Sequence, residues 1–317
     1  MLRWLTECDQ GWPEGMGPLG ALSECKIRIG DAAEAGFDWL QVNLAGLFDA
    51  LALALEVMIE VILALLQEPP NTGWLYDLRR SEIDYLYPPE WHPILITVIF
   101  VVLAYRLHRG WRVPMLLAAG LLFIINQGYW DETTESLTLV TAACVVCMGL
   151  GVPIGIAAAH RPRLYAAMRP VLDLMQTLPT FVYLIPAIVF FGIGMVPGLI
   201  ATVIFVLPAP IRLTHLGISS TPTALLEAAD AFGATPRQKL WKVELPYATP
   251  QIMAGLNQTI MLSLSMVVIA ALVGANGLGV PVVRALNQVN TGLGFEAGLI
   301  IVVVAILLDR LLRVSRR

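Results

Sequence analysis

Cys144 and Cys147 stand at the Cys-x-x-Cys spacing that serves thiol redox chemistry and metal binding. The run that holds them, TAACVVCMGL, offers no polar neighbour to favour a thiolate, so the pair reads as buried packing. Cys8 and Cys25, the other two of the four cysteines, form a disulfide if their region faces an oxidising compartment. Lys26, Lys239 and Lys242 are the only lysines, and none completes the GxxxxGK loop that cradles phosphates. ATP hydrolysis therefore has no home in this chain. No carboxylate dyad, His-Cys cluster or nucleophile motif stands out. The four histidines, His92, His108, His160 and His215, lie near the ends of apolar runs, where interfacial anchoring accounts for them.

One stretch does carry organised polar signals: EAADAFGATPRQKLWKVELP, Glu227 to Pro246. Thr-Pro occurs at 221–222, 235–236 and 249–250, and each threonine can cap a helix whose first residue is the proline. Thr235 and Gln238 also fit a capping box, and Gly233 suits the left-handed residue that ends a preceding helix. The spacing predicts helix, turn, helix and then the start of the next apolar run, a structured segment over about 215–250.

The elements that must position this segment are membrane helices. Of 317 residues, 57% are hydrophobic and 14% charged, more apolar material than one soluble core needs. No basic start followed by an apolar run appears at Met1, so no cleaved signal peptide is expected. Apolar runs near 93–106, 113–129, 137–159, 171–193, 197–214, 251–273 and 294–312 predict seven spans, the first short and anchored by Trp91 and Arg106. Placing every second loop in the cytoplasm puts 14 basic residues of the spans' loops and C-terminus inside and only Arg284 outside, with Asp131, Glu132, Glu135 and Glu296. The C-terminus is then inside and the N-terminal tail outside.

Residues 1–91 form an acidic tail, with 15 of the 24 acidic groups and 5 of the 20 basic ones. Within it an amphipathic helix is expected over about 36–67. Asp49, Glu56 and Glu60 fall within about 40° of one another on a helical wheel, a narrow acidic stripe on apolar ground. Such a helix lies in the interface or packs on other spans; an eighth span, the alternative, would move the N-terminus inside.

Glu227-Ala228-Ala229, Gly233, and Val243, Glu244, Leu245 and Pro246 resemble the EAA signature of ATP-binding-cassette importer permeases. LDLMQTLPTFVYLIPAIVFFGIGMVPG (172–198) and GLNQTIMLSLSMVVIAALVGANGLG (255–279) look like the matching spans of the glycine betaine, proline and choline permease group. The likeness covers about 90–312. It implies an all-α, polytopic type I importer transmembrane domain over 92–317, preceded by an amphipathic scaffold helix. It further implies that Glu227, Ala228, Ala229, Gly233, Arg237, Lys239, Leu245 and Pro246 couple the permease to an ATPase. Small Ala228 and Ala229 allow close approach, while Glu227, Arg237, Lys239 and Lys242 supply rim contacts.

By the same resemblance the expected function is import of small trimethylammonium-type solutes such as glycine betaine, choline or trimethylamine N-oxide. The chain is expected to be non-catalytic and without a cofactor of its own, ATP and Mg being bound by the partner. Expected partners are a second, identical permease, two ATP-binding subunits, a periplasmic receptor and the lipid membrane, with no nucleic acid. Polar or aromatic groups near the break at Pro179 and in the sixth apolar run are candidates for the path: Met175, Gln176, Thr177, Phe181, Tyr183, Asn257, Gln258, Ser263, Ser265 and Met266. Each can equally hydrogen-bond or pack between spans. Phe181 and Tyr183 suit a methylated ammonium, which aromatic faces attract without a buried counter-charge. Asp173 has Arg169 one turn earlier and is expected to form a surface pair with it, a gate role being the alternative, and GANGLG (274–279) forms a gate or a turn. An ion-coupled secondary transporter is the alternative, but intramembrane carboxylates and repeat symmetry are not evident.

Overall fold

The computed structural model of the chain describes residues 6–8, 25–27, 29–67, 92–108 and 110–312. Helix dominates these residues, as expected. The exception among them is an antiparallel pair of three-residue strands, β1 (Thr6–Cys8) and β2 (Cys25–Ile27). Its register sets Cys8 opposite Cys25; the side chains of both lie outside the described residues.

Two compact units make up the chain, Met1–Ala52 and Leu53–Arg317. The expected amphipathic stretch falls on two helices, α1 (Ile29–Asn43) and α2 (Ala45–Leu66). In the second unit α2 buries Leu55 and Ile59, one turn apart, against Ala142, Ala143 and Leu199, while Glu56 and Glu60 stay exposed. Glu56 and Glu60 thus lie off the packed face.

The remaining helices are α3 (His92–His108), α4 (Arg112–Asn126), α5 (Trp130–His160), α6 (Pro162–Thr177), α7 (Thr180–Phe191), α8 (Met195–Val206) and α9 (Pro208–Ser219). After them come α10 (Thr223–Ala231), α11 (Pro236–Lys239), α12 (Leu245–Ala270), α13 (Gly279–Gln288) and α14 (Thr291–Leu312). Among the described residues four stretches are long and apolar enough to cross a membrane: Trp130–His160, Met195–Ser219, Pro236–Val273 and Thr291–Leu311. A fifth is the pair α6 and α7 if it counts as one span, although the two are bent by 97°. At 17 and 15 residues, α3 and α4 are about 25 and 22 Å long, short of a hydrocarbon core of about 30 Å.

Several expectations about span limits change. The run 171–193 is not one straight helix, because Pro179 pushes Leu178 into extended backbone (φ −65°, ψ 137°) and the helix restarts at Thr180. α5 begins at Trp130, seven residues before its apolar run, since Asp131 and Glu132 suit the positive end of a helix dipole. The run 251–273 is the far part of a helix that starts at Pro236 and passes through Pro250. Pro250 does not start a helix. Thr249 instead donates its hydroxyl to Leu245 O at 2.8 Å inside α12.

The centre of the fold is the packing of α5, α9 and α12. Gly151 and Gly155, one turn apart on α5, sit where any Cβ would approach Pro210 and Thr214 of α9 to within 2.8 Å. Their missing side chains let the two helix backbones close up, the small-residue packing of membrane helices. Cys147 is fully buried beside Val203, and both Cys144 and Cys147 are free thiols, in line with a packing role. An apolar cavity of about 480 Å³ opens between α2, α3, α4, α5, α12 and α14, with Leu117, Leu137, Ile260 and Leu307 among its walls.

Candidate functional site

The EAA-like segment folds as the hairpin its caps predict at one of the three Thr-Pro pairs. Thr235 Oγ1 accepts from Gln238 N–H at 3.3 Å, and Thr235 N–H donates to Gln238 Oε1 at 2.9 Å. Gly233 has φ +73°; its N–H donates to Asp230 O at 2.9 Å, and Ala234 N–H donates to Ala229 O at 3.0 Å. Those two bonds are the Schellman closure of α10. The first pair departs from expectation: Pro222 is extended (ψ 133°), α10 starts at Thr223, and the buried Thr221 hydroxyl caps nothing. Lys239 reaches back across the turn to Asp230 at 2.7 Å, so it braces the hairpin.

Glu227, Ala228, Gly233, Arg237 and Pro246 are exposed, Ala229 and Leu245 half-buried. Phe232, 92% exposed, precedes the glycine of the turn, and Trp241, 64% exposed, follows the second hairpin helix. Sequence reasoning passed over both, although two large aromatics within a charged segment are the signal that marks a docking surface. Glu244, read in the sequence only as part of the signature, is buried and 2.9 Å from His160 Nε2. Asp173 pairs with Arg212 of α9 at 2.6 Å, not with Arg169 of its own helix, because the side chains of α6 and α9 face each other there.

The candidate path residues do not gather around one opening in this chain. Tyr183 is buried; its hydroxyl donates to Met175 O at 2.5 Å and lies 3.3 Å from Leu174 O, so it braces the α6/α7 bend. Met266 joins Tyr183 in the same packed cluster, and Ser263 is fully buried. Asn257 and Met175 and Gln176 are half-buried, whereas Thr177, Phe181, Gln258 and Ser265 are exposed. Gln251, also exposed, extends Gln258 and Ser265 into a polar row at seven-residue spacing along α12. None of these residues lines the 480 Å³ cavity. In the 274–279 loop Leu278 N–H donates to the buried Ser136 Oγ at 2.8 Å, tying the loop to α5.

The described residues thus combine helices long and apolar enough to cross a membrane with a capped polar hairpin between two of them. A family profile described as the inner membrane component of binding-protein-dependent transport systems matches residues 151–317. The glycine betaine transport system permease protein OpuAB of Bacillus subtilis is 44% identical over 90% of this chain and 93% of its own length. The glycine betaine/carnitine transport permease protein GbuB of Listeria monocytogenes is 48% identical over 75% of this chain and 81% of its own. For the glycine betaine/proline betaine permease protein ProW of Escherichia coli the figures are 37%, 97% and 80%. A chain of the MetNI methionine ABC transporter shares the fold, with a TM-score of 0.51 and 24% identity over 57% of this chain and 94% of that one. The chain belongs to the binding-protein-dependent inner-membrane permease family. It is a non-catalytic, multi-pass inner-membrane subunit of an importer that works with a separate ATPase and a substrate-binding protein.

Proposed function

We propose that this permease moves small trimethylammonium-type solutes, glycine betaine foremost, with choline, trimethylamine N-oxide and proline betaine as chemical kin. Relatives named for glycine betaine, carnitine and proline betaine support that class, since these solutes share a quaternary ammonium. Two identical permeases act with two ATP-binding subunits and a periplasmic receptor; ATP and Mg bind the ATPase, and seven spans leave the N-terminal tail periplasmic and the C-terminus cytoplasmic. The path runs along the seam between the permeases. Gln258, Ser265 and Phe181 face away from the packed core, which favours them over Ser263 and Met266 as its lining.

The observation that carries coupling is the hairpin tip. Phe232, next to the left-handed Gly233, and Trp241, in the turn that follows the hairpin, are large apolar side chains left exposed on a rigidly capped segment, the kind of surface that another protein covers. Glu227 and Arg237 rim it. The test is uptake of labelled glycine betaine by proteoliposomes that hold the permease with its ATPase and receptor. ATP-dependent uptake is expected; uptake driven by an ion gradient without ATP overturns the proposal in favour of a secondary transporter.

A further inference from the structure

The helix from Pro236 to Val273 has one π turn, Leu240–Glu244, at the hairpin end, closed by Leu245 N–H donating to Leu240 O. A π turn holds one more residue than an α turn, so it rotates the helix on its N-terminal side by about 100° relative to the helix on its C-terminal side. Here the rotation leaves Trp241 and Lys242 outward while Glu244 points inward, 6% exposed.

Glu244 meets His160, the last residue of α5, and the contact joins positions 84 apart in sequence. His160 Nδ1 lies 2.9 Å from Ile156 O, an acceptor, so that nitrogen carries a proton. Its Nε2 lies 2.9 Å from Glu244 Oε2, and a second proton sits between them whichever group owns it. A buried carboxyl without this partner would be desolvated for nothing, so Glu244 is committed to the contact. The pair links two joints: the point where α5 gives way to α6, and the point where the hairpin gives way to α12. α5 itself is 31 residues, about 46 Å, and at its other end Ser136 holds the 274–279 loop.

We propose that His160 and Glu244 are positioning residues that fix the coupling segment to the foot of α5, so that a push on the hairpin moves α5 and does not dissipate in the π turn. The proposal rests on residues 215–250 being the coupling segment. The π turn alone would let α11 swivel about α12; the pair removes that freedom from one side while the hairpin brace Asp230–Lys239 removes it from the other.

The experiment reconstitutes the full complex and measures solute moved per ATP hydrolysed. Glu244→Ala and His160→Ala should each lower that ratio by about 5-fold or more, at unchanged assembly with the ATPase. The exchanged variant, His160→Glu with Glu244→His, should recover most of it. A pair that served only to hold the fold together would lower uptake and hydrolysis alike, leaving the ratio as it was, and that outcome overturns the proposal. So does a failure of the exchanged variant to recover while the single variants are impaired. Glu227→Lys, run alongside, separates the two readings: normal uptake by it removes the coupling segment itself, whereas lost uptake with wild-type ratios in the pair variants removes only the pair.

Discussion

The chain turns sharply at Gly233 and at Pro179, and the two turns are made of different materials. At Gly233 every tie is local: a Schellman closure, a capping box and an ion pair between residues nine apart. At Pro179 proline stereochemistry opens the helix, but the angle is held by Tyr183, whose ring is packed near Ala201 and Met266 of other helices. A turn of the first kind moves as a unit when pushed. One of the second kind changes angle whenever the packing behind it changes, which is the behaviour wanted beside a path that must open and close.

Gly233→Pro is the largest blow to the comparison. The native φ of +73° is closed to proline, and the N–H given to Asp230 O disappears. Uptake should fall to background while the protein still reaches the membrane, as an uptake assay beside an immunoblot would show; normal uptake would mean that the turn's rigidity is irrelevant. Tyr183→Phe removes the hydroxyl bridge at the bend for about 1–2 kcal/mol. The distance distribution between spin labels at 169 and 185 should broaden, and an unchanged distribution would make proline the sole determinant of the angle. Thr235→Ala is the mildest, about 1 kcal/mol from the lost cap. It should speed amide exchange at 237–239 and leave α6 and α7 untouched; equal effects on both turns would erase the distinction.

The same contrast explains what was legible in the sequence. Thr235, Gln238 and Gly233 were readable because their partners lie within a few residues. Thr249-Pro250 was not, since a long membrane helix tolerates an internal proline, and the Thr249 hydroxyl turns back to Leu245 O instead of capping a new helix. The faces of α12 were equally hidden: Ser263 and Met266 turn inward and Gln258 and Ser265 outward because α9 and α8 settle on one side of that helix, a choice no single-helix pattern records. His160–Glu244 and Asp173–Arg212 join residues 84 and 39 apart, and only the assembled bundle brings them together.

The cavity beside α5 has a mechanical meaning of its own. Its walls are hydrocarbon apart from Thr133, Thr141 and the Cys144 thiol, so α4 and α14 can draw toward α5 across it without breaking a hydrogen-bond ladder. Engineers call such a gap clearance. It leaves one flank of the long helix free to shift sideways while the glycine-lined contact with α9, which has no gap to close, serves as the bearing on the other flank.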